Sequence, residues 1–150
     1  MSGDRTLVIT RRFEAPRERV FAAWIDPDQA AKWWGPKGFA PVSCTMDVRV
    51  GGAWRRIMRS PDGLEYRVRG VYREIAAPER LVFTYAWENN PDQSGHETVV
   101  TLTFADLGDG RTELTLRQEL FETVAARDSH RGGWSGCLDR FAEHLATCSR

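Results

Sequence analysis

The stretch Trp134-Ser135-Gly136-Cys137-Leu138-Asp139-Arg140-Phe141-Ala142-Glu143-His144-Leu145 decides the fold. Its apolar residues Trp134, Cys137, Leu138, Phe141 and Leu145, with Cys148 beyond them, fall at i, i+3, i+4, i+7, i+11 and i+14. That spacing lays them along one stripe of an α-helix, and such a stripe is buried against another element. Arg140, Glu143 and Arg150 fall off the stripe. Upstream, 122–131 is also helix-compatible, so a long terminal helix is expected, with Gly132-Gly133 as a place for a kink.

The partner for that stripe is a sheet. From Pro41 the apolar period changes to two, and strands are expected near 42–49, 53–60, 64–76, 80–88, 96–105 and 111–120. Gly51-Gly52, Pro61-Asp62-Gly63, Ala77-Pro78-Glu79-Arg80, Asn89-Asn90-Pro91 and Gly108-Asp109-Gly110 separate them as turns. Connections this short join antiparallel neighbours. Before Pro41, Leu7 to Phe13 reads as a strand rich in β-branched residues. A short helix follows from Pro16 to Trp24, then a second with Asp26 as N-cap and Pro27 at its first position. Gly35-Pro36 ends it. The order, strand, two short helices, six strands and one long helix, defines a single α+β domain over residues 1–150 with helices on one face of a curved sheet.

Alternation assigns the inner face. Leu81, Phe83, Tyr85 and Trp87 share one side, as do Tyr66, Val68, Gly70 and Tyr72, while Arg67, Arg69 and Arg73 point to water. Thr98, Val100, Leu102 and Phe104, then Leu114 and Leu116, continue the inner face. With six tryptophans in the chain, this side is crowded with rings. Composition leaves two outcomes open, a solid aromatic core or a cavity beside the helix. The same alternation groups Arg56 with Trp54 and Met58. An enclosed arginine stays charged and demands a carboxylate, carbonyls or a bound anion. Either Arg56 reads the polar or acidic end of a ligand, or it reaches water at the strand edge or through the opposite strand register; the sequence favours the latter reading.

Composition excludes several partners. Lys+Arg and Asp+Glu both total 21. No basic excess points to nucleic acid or to an anionic membrane surface. No apolar run approaches the ~20 residues of a spanning helix. The start, Met1-Ser2-Gly3-Asp4-Arg5, has no secretion-signal pattern, and the widely spaced Cys44, Cys137 and Cys148 read as reduced thiols, so a cytoplasmic protein is expected.

Motifs that carry chemistry are missing from the sequence. There is no GxSxG, no HExxH and no phosphate-cradling glycine loop, so neither metal nor cofactor is expected. His96 and His130 lie where they could face a pocket mouth as general bases. A hydrogen-bonded structural or surface role is the preferred reading for both. Cys137, on the helical stripe, reads as an inert small hydrophobe.

Several segments in order resemble a known family. They are Phe13, Ala15-Pro16, Val20-Phe21-Ala22-Ala23-Trp24, Lys32-Trp33-Trp34-Gly35-Pro36, Asp47-Val48-Arg49-Val50-Gly51-Gly52, Pro61-Asp62-Gly63 and Gly70-Val71-Tyr72-Arg73-Glu74-Ile75. Pro78-Glu79-Arg80-Leu81-Val82-Phe83-Thr84 and His130-x-x-Gly133-Trp134 with Leu138 complete the series. Together they resemble the START-like polyketide-cyclase/dehydrase (SRPBCC) superfamily, in the branch similar to the C-terminal domain of heat-shock-chaperone ATPase activators. The resemblance implies a helix-grip fold: a curved antiparallel sheet around a long C-terminal helix, with a cavity that takes lipids, polyketides or other hydrophobic molecules. It imports no reaction. Eukaryotic activators carry an added N-terminal domain that grips the chaperone, whereas this chain opens at the first helix-grip strand, so chaperone activation is not expected to carry over.

Three functions follow as expectations. The first is a binding or carrier domain for a small hydrophobic ligand, its pocket formed by Trp34, Phe39, Arg56, Met58, Tyr72, Phe83, Tyr85, Trp134 and Leu138. The second is a cyclase- or hydrolase-like enzyme using Arg56, His96 or Tyr85. The third is an interaction module that binds a chaperone or a second copy of itself.

Overall fold

The computed structural model describes residues 5–35, 38–88, 97–121 and 123–147. Strand β1 (Leu7–Phe13) leads into α1 (Arg17–Ile25) and α2 (Pro27–Trp33). Then come β2 (Ala40–Met46), β3 (Ala53–Arg59), β4 (Glu65–Ala76), β5 (Arg80–Trp87), β6 (Thr98–Gly108) and β7 (Arg111–Glu119). The chain closes with α3 (Val124–Thr147). All strands join one antiparallel sheet in the order β1-β7-β6-β5-β4-β3-β2. Residues 89–96, with the Asn89-Asn90-Pro91 turn and His96, lie outside the described residues, as do Cys148 and Arg150.

The local reasons are mostly those of the sequence. Asp26 caps α2, its carboxylate accepting from the Asp28 amide at 3.0 Å, with Pro27 in the first turn. Pro16 stands one residue before α1, which begins at Arg17. Strand β2 lies earlier at both ends than 42–49. Residues 47–52 form a tight turn instead, with Arg49 N–H donating to Asp47 O and Gly52 N–H to Arg49 O. A Cβ at Gly52 would sit 2.0 Å from the Asp47 carbonyl oxygen, so this turn requires glycine. Helix α3 runs unbroken through Gly132-Gly133, with no kink that interrupts its span. Two glycines cost helix stability, but packing of the stripe on either side outweighs that propensity.

The grip of helix on sheet is aromatic and polar at once. Trp134, Cys137, Leu138, Phe141 and Leu145 are each at most 5% exposed. Phe141 packs edge-on to Phe13 of β1 at 5.1 Å and against Trp33 of α2 at 4.5 Å. On the neighbouring edge Arg11 of β1 pairs with Asp139 at 2.9 Å. A buried relay ties α3 to three strands: Trp134 Nε1 donates to Gln118 Oε1, Gln118 Nε2 to Thr98 Oγ1, and Thr98 Oγ1 to the Tyr85 carbonyl, at 2.7, 2.7 and 2.9 Å. Every member has a partner, so the relay specifies one position of the helix rather than a greasy slide.

Candidate functional site

The inner face of the sheet does not meet α3 evenly. Towards the C-terminal half of the helix, Leu138, Phe141 and Leu145 join a packed core with Phe13, Trp24 and Trp33. Beside its N-terminal half a partly open cavity of about 240 Å³ remains. Its walls are Trp34, Gly35, Phe39, Met58, Tyr66, Tyr85 and Trp87, closed by Ser129, His130, Gly133, Trp134 and Cys137 of α3. Large rings at fixed angles leave this space because they cannot interdigitate as aliphatic chains do.

Of the pocket residues expected from sequence, Trp34, Phe39, Met58, Tyr85 and Trp134 wall this cavity. Leu138 does not; it is fully buried in the core. Tyr72, Phe83 and Arg56 also stand apart from it. They border a separate void of about 10 Å³, with Trp24, Trp34, Trp54 and Leu81. Trp34 is a wall of both spaces. Gly35, Tyr66, Trp87, Ser129, Gly133 and Cys137 wall the cavity as well, outside the set expected from sequence, and so does His130, which the sequence places where it could face the pocket. Tyr66 and Trp87 were legible as inward rings, but nothing in alternation says which inward ring borders space.

Arg56 does not reach water at the strand edge: it is 5% exposed. The side chain is roofed by an element that strand periodicity cannot reveal. Its guanidinium carbon lies 3.7 Å from the Trp34 ring centre and 5.2 Å from that of Trp54, a cation held between two indoles. Nη2 donates only to the weak acceptor Met46 Sδ, at 3.3 Å, and Nε has no acceptor. Among the described residues Arg56 makes no ion pair.

The titratable groups at the cavity are subdued. His130 is buried, with both ring nitrogens engaged by Trp87 and Ala126, and burial lowers its pKa. Burial pushes the Cys137 thiol up to about 12, which makes it inert. Burial also raises the Tyr85 hydroxyl, with Cys137 adding to the rise and the charge of Arg56 opposing it. Burial likewise takes Tyr72 to about 12, against the pull of Arg56. Of the groups in the enzyme expectation, Arg56 and Tyr85 wall different spaces, and His96 lies outside the described residues. Among the described residues no three His, Cys, Asp or Glu side chains gather as metal ligands, and no helix is long and apolar enough to cross a membrane.

The roof over the cavity is pinned by a residue that lies off the helical stripe. Arg140 Nη1 donates to the carbonyls of Trp34, Gly35 and Phe39 at 3.4, 3.1 and 3.2 Å, and Nη2 to Lys32 at 3.4 Å. One side chain of α3 thus fixes the segment that carries two aromatic cavity walls. No sequence spacing announces that contact.

A seven-stranded antiparallel sheet curved round a terminal helix, with an aromatic cavity between them, is a helix-grip domain of the START-like (SRPBCC) class. Within that class the chain belongs to the family described as "Activator of Hsp90 ATPase homolog 1-like protein", which it matches over residues 14–146. Among solved structures it is similar to protein CV1439 from Chromobacterium violaceum, with 30% identity over 93% of this chain and 95% of that one and a TM-score of 0.80. The AHSA1 (SPO3351) protein from Silicibacter pomeroyi gives 27% identity, coverage of 95% and 98%, and a TM-score of 0.84. A solution structure from Arthrobacter aurescens gives 25%, coverage of 98% and 89%, and 0.85. No curated protein matches the chain.

Proposed function

We propose that the protein binds or carries one small, ring-containing, mostly apolar molecule between the sheet and α3. The observation that carries this reading is the cavity of about 240 Å³ with aromatic walls and few free polar groups. An apolar cavity of about 150 Å³ accepts benzene, whereas drug-sized sites run from about 300 Å³ upward. The space therefore suits a bicyclic aromatic compound or a short polyketide better than a sterol or a long-chain lipid. Tyr66, Tyr85 and Ser129 add hydroxyls to orient it. The family supports ligand binding in general terms, and the cavity supplies the size.

The test is a thermal-shift and calorimetric screen of neutral and acidic mono- and bicyclic aromatics against the full chain. A ligand at a hundred times its Kd stabilises by about 2.7 kcal/mol. Binding by no compound of this size, at millimolar concentration, overturns the reading. A chaperone partner has the family description behind it. Among the described residues the exposed large hydrophobics are scattered, Val8 and Val42 on the two edge strands, Val71 on interior strand β4, Val124 at the start of α3 and Val50, Leu64 and Leu120 between elements, which favours the cavity over a docking face.

A further inference from the structure

We infer that the ligand of this cavity is an acid bound as its anion, a small aromatic or alicyclic carboxylate, with Arg56 as its counter-charge. The inference rests on the cavity being the binding site. It starts from an electrostatic imbalance inside the domain. Arg56 is a permanent cation, 5% exposed, with no carboxylate to balance it among the described residues. Among the described residues its Nε finds no acceptor, and neither do the Nε1 atoms of Trp24 and Trp54. All three residues border the same void of about 10 Å³, the volume of a single water-sized sphere. Donors outnumber acceptors around it, and a space of this size admits at most one water, so the positive charge of Arg56 is left without a counter-charge there.

The imbalance extends to the cavity. Trp34 is a wall of both spaces and carries the guanidinium against its ring. Arg56 lies two residues from Met58 on the same face of β3, and Met58 is a cavity wall. Its charge is felt by two further wall groups, opposing the burial-driven rise of both Tyr85 and Cys137. Among the described residues no aspartate or glutamate lines the cavity. With apolar walls and one sign of charge, the local potential is positive and weakly screened, which favours an anion and repels a cation. The carboxylate stands at the Trp34 end, its ring among Tyr85, Trp87 and Trp134, and is held by the charge of Arg56 acting across the Trp34 ring that separates the two spaces.

A purely structural pillar makes a different forecast. If Arg56 only propped Trp34 and Trp54 apart, its removal would lower stability. If it is a charge held for a ligand, an apolar residue of similar length relieves a desolvation cost.

The experiment is calorimetric titration of the full chain with 1-naphthoate and with its neutral near-isostere 1-naphthamide, on wild type, Arg56→Met and Arg56→Lys. Naphthoate is expected to bind wild type at least tenfold tighter than naphthamide. Arg56→Met brings the ratio close to one by weakening naphthoate far more than naphthamide, and its melting temperature is no lower than wild type. Arg56→Lys keeps part of the preference. Equal binding of both compounds by wild type overturns the inference and leaves the cavity reading standing. Binding of neither overturns both. A preference for naphthoate that survives in Arg56→Met assigns the anion to another group and also overturns it. Should Arg56→Met fail to fold, the pillar is favoured and the wild-type ratio with Arg56→Lys decides.

Discussion

The Trp87 indole donates its N–H to Nε2 of His130 across 2.8 Å, and this bond fixes the chemistry of the histidine. An indole nitrogen can only donate, so Nε2 must be the unprotonated nitrogen. The proton therefore sits on Nδ1, which donates to the Ala126 carbonyl at 2.8 Å. The rings of Tyr85 and Phe121 close the remaining sides. A histidine so engaged is a neutral strut between β5 and α3, not a base awaiting substrate.

A pH dependence follows. Burial lowers the pKa of His130 below its unfolded value near 6.5, and His144 is lowered in the same direction, first by burial and then by Lys32 and Arg19. Below that value the unfolded chain takes up protons that the native one refuses. The stabilising contribution is thus complete above pH 6.5 and is lost as pH falls through the native pKa values. Urea unfolding should show lower stability at pH 5.5 than at 7.5, with a slope of up to about 1.4 kcal/mol per pH unit from one site. His130→Gln should flatten the slope in part, leaving that of His144. An unchanged slope would mean that His130 is protonated in the native state.

Trp134 should be the costliest ring to remove. Trp134→Ala opens a large void and leaves Gln118 Oε1 without its donor, so a loss of ~3–5 kcal/mol is expected in denaturant titration. Trp134→Phe keeps most of the bulk and isolates the hydrogen bond, at about 1–3 kcal/mol. If both variants cost less than about 1 kcal/mol, the ring is not buried as described.

How far the site was legible depended on whether one element or two were needed to see it. The stripe from Trp134 to Leu145 and the row Leu81, Phe83, Tyr85 on β5 each lie on one element, and periodicity recovers them. Arg56 shows the limit. Alternation placed it correctly with Trp54 and Met58, but the Trp34 ring that covers it comes from the end of α2, twenty-two positions earlier in the chain. Leu138, Tyr72 and Phe83 show another. Sequence told that they face inward and not that the rings of α1 and α2 fill their end of the interior, while Gly133 and small Cys137 border space at the other.

Arg140 offers a prediction on ligand access. Its guanidinium holds the carbonyls of Trp34, Gly35 and Phe39, so Arg140→Ala releases the roof without touching the cavity itself. Hydrogen bonds from a charged donor contribute roughly 1.5–3 kcal/mol in favourable cases. With the half-exposed geometry here, a loss of about 1–2 kcal/mol is expected, together with faster amide exchange at residues 38–40. Any ligand found in the screen should dissociate faster from this variant. Protected amides and unchanged dissociation would show that the roof is held by its ring contacts alone.

The last prediction concerns the strand position that makes room for the aromatic wall. Gly70 of β4 stands directly across from Trp54 of β3, the smallest residue opposite the largest. A Cβ at Gly70 would lie 1.8 Å from the Thr84 carbonyl oxygen and 2.6 Å from Trp54 Nε1. The first clash is with backbone and cannot be relieved by a rotamer. The β4–β5 register is already irregular in this region, and the Val71 amide donates to the Thr84 hydroxyl at 2.8 Å instead of to a ladder carbonyl. Gly70→Ala must therefore push β5 outward or tilt the Trp54 indole. Either movement disturbs the tilted contact of Trp54 with Tyr85, whose ring centres are 5.6 Å apart, and so reaches the cavity wall. Overpacking costs about 1–3 kcal/mol, and more where the clash is with backbone, and alanine's better strand propensity offsets only a fraction of that. Chemical denaturation should report that loss, and near-ultraviolet circular dichroism should change with it because the tryptophan cluster shifts. A variant as stable as wild type, with an unaltered aromatic spectrum, would mean that β4 and β5 lie farther apart at this point than the structure places them.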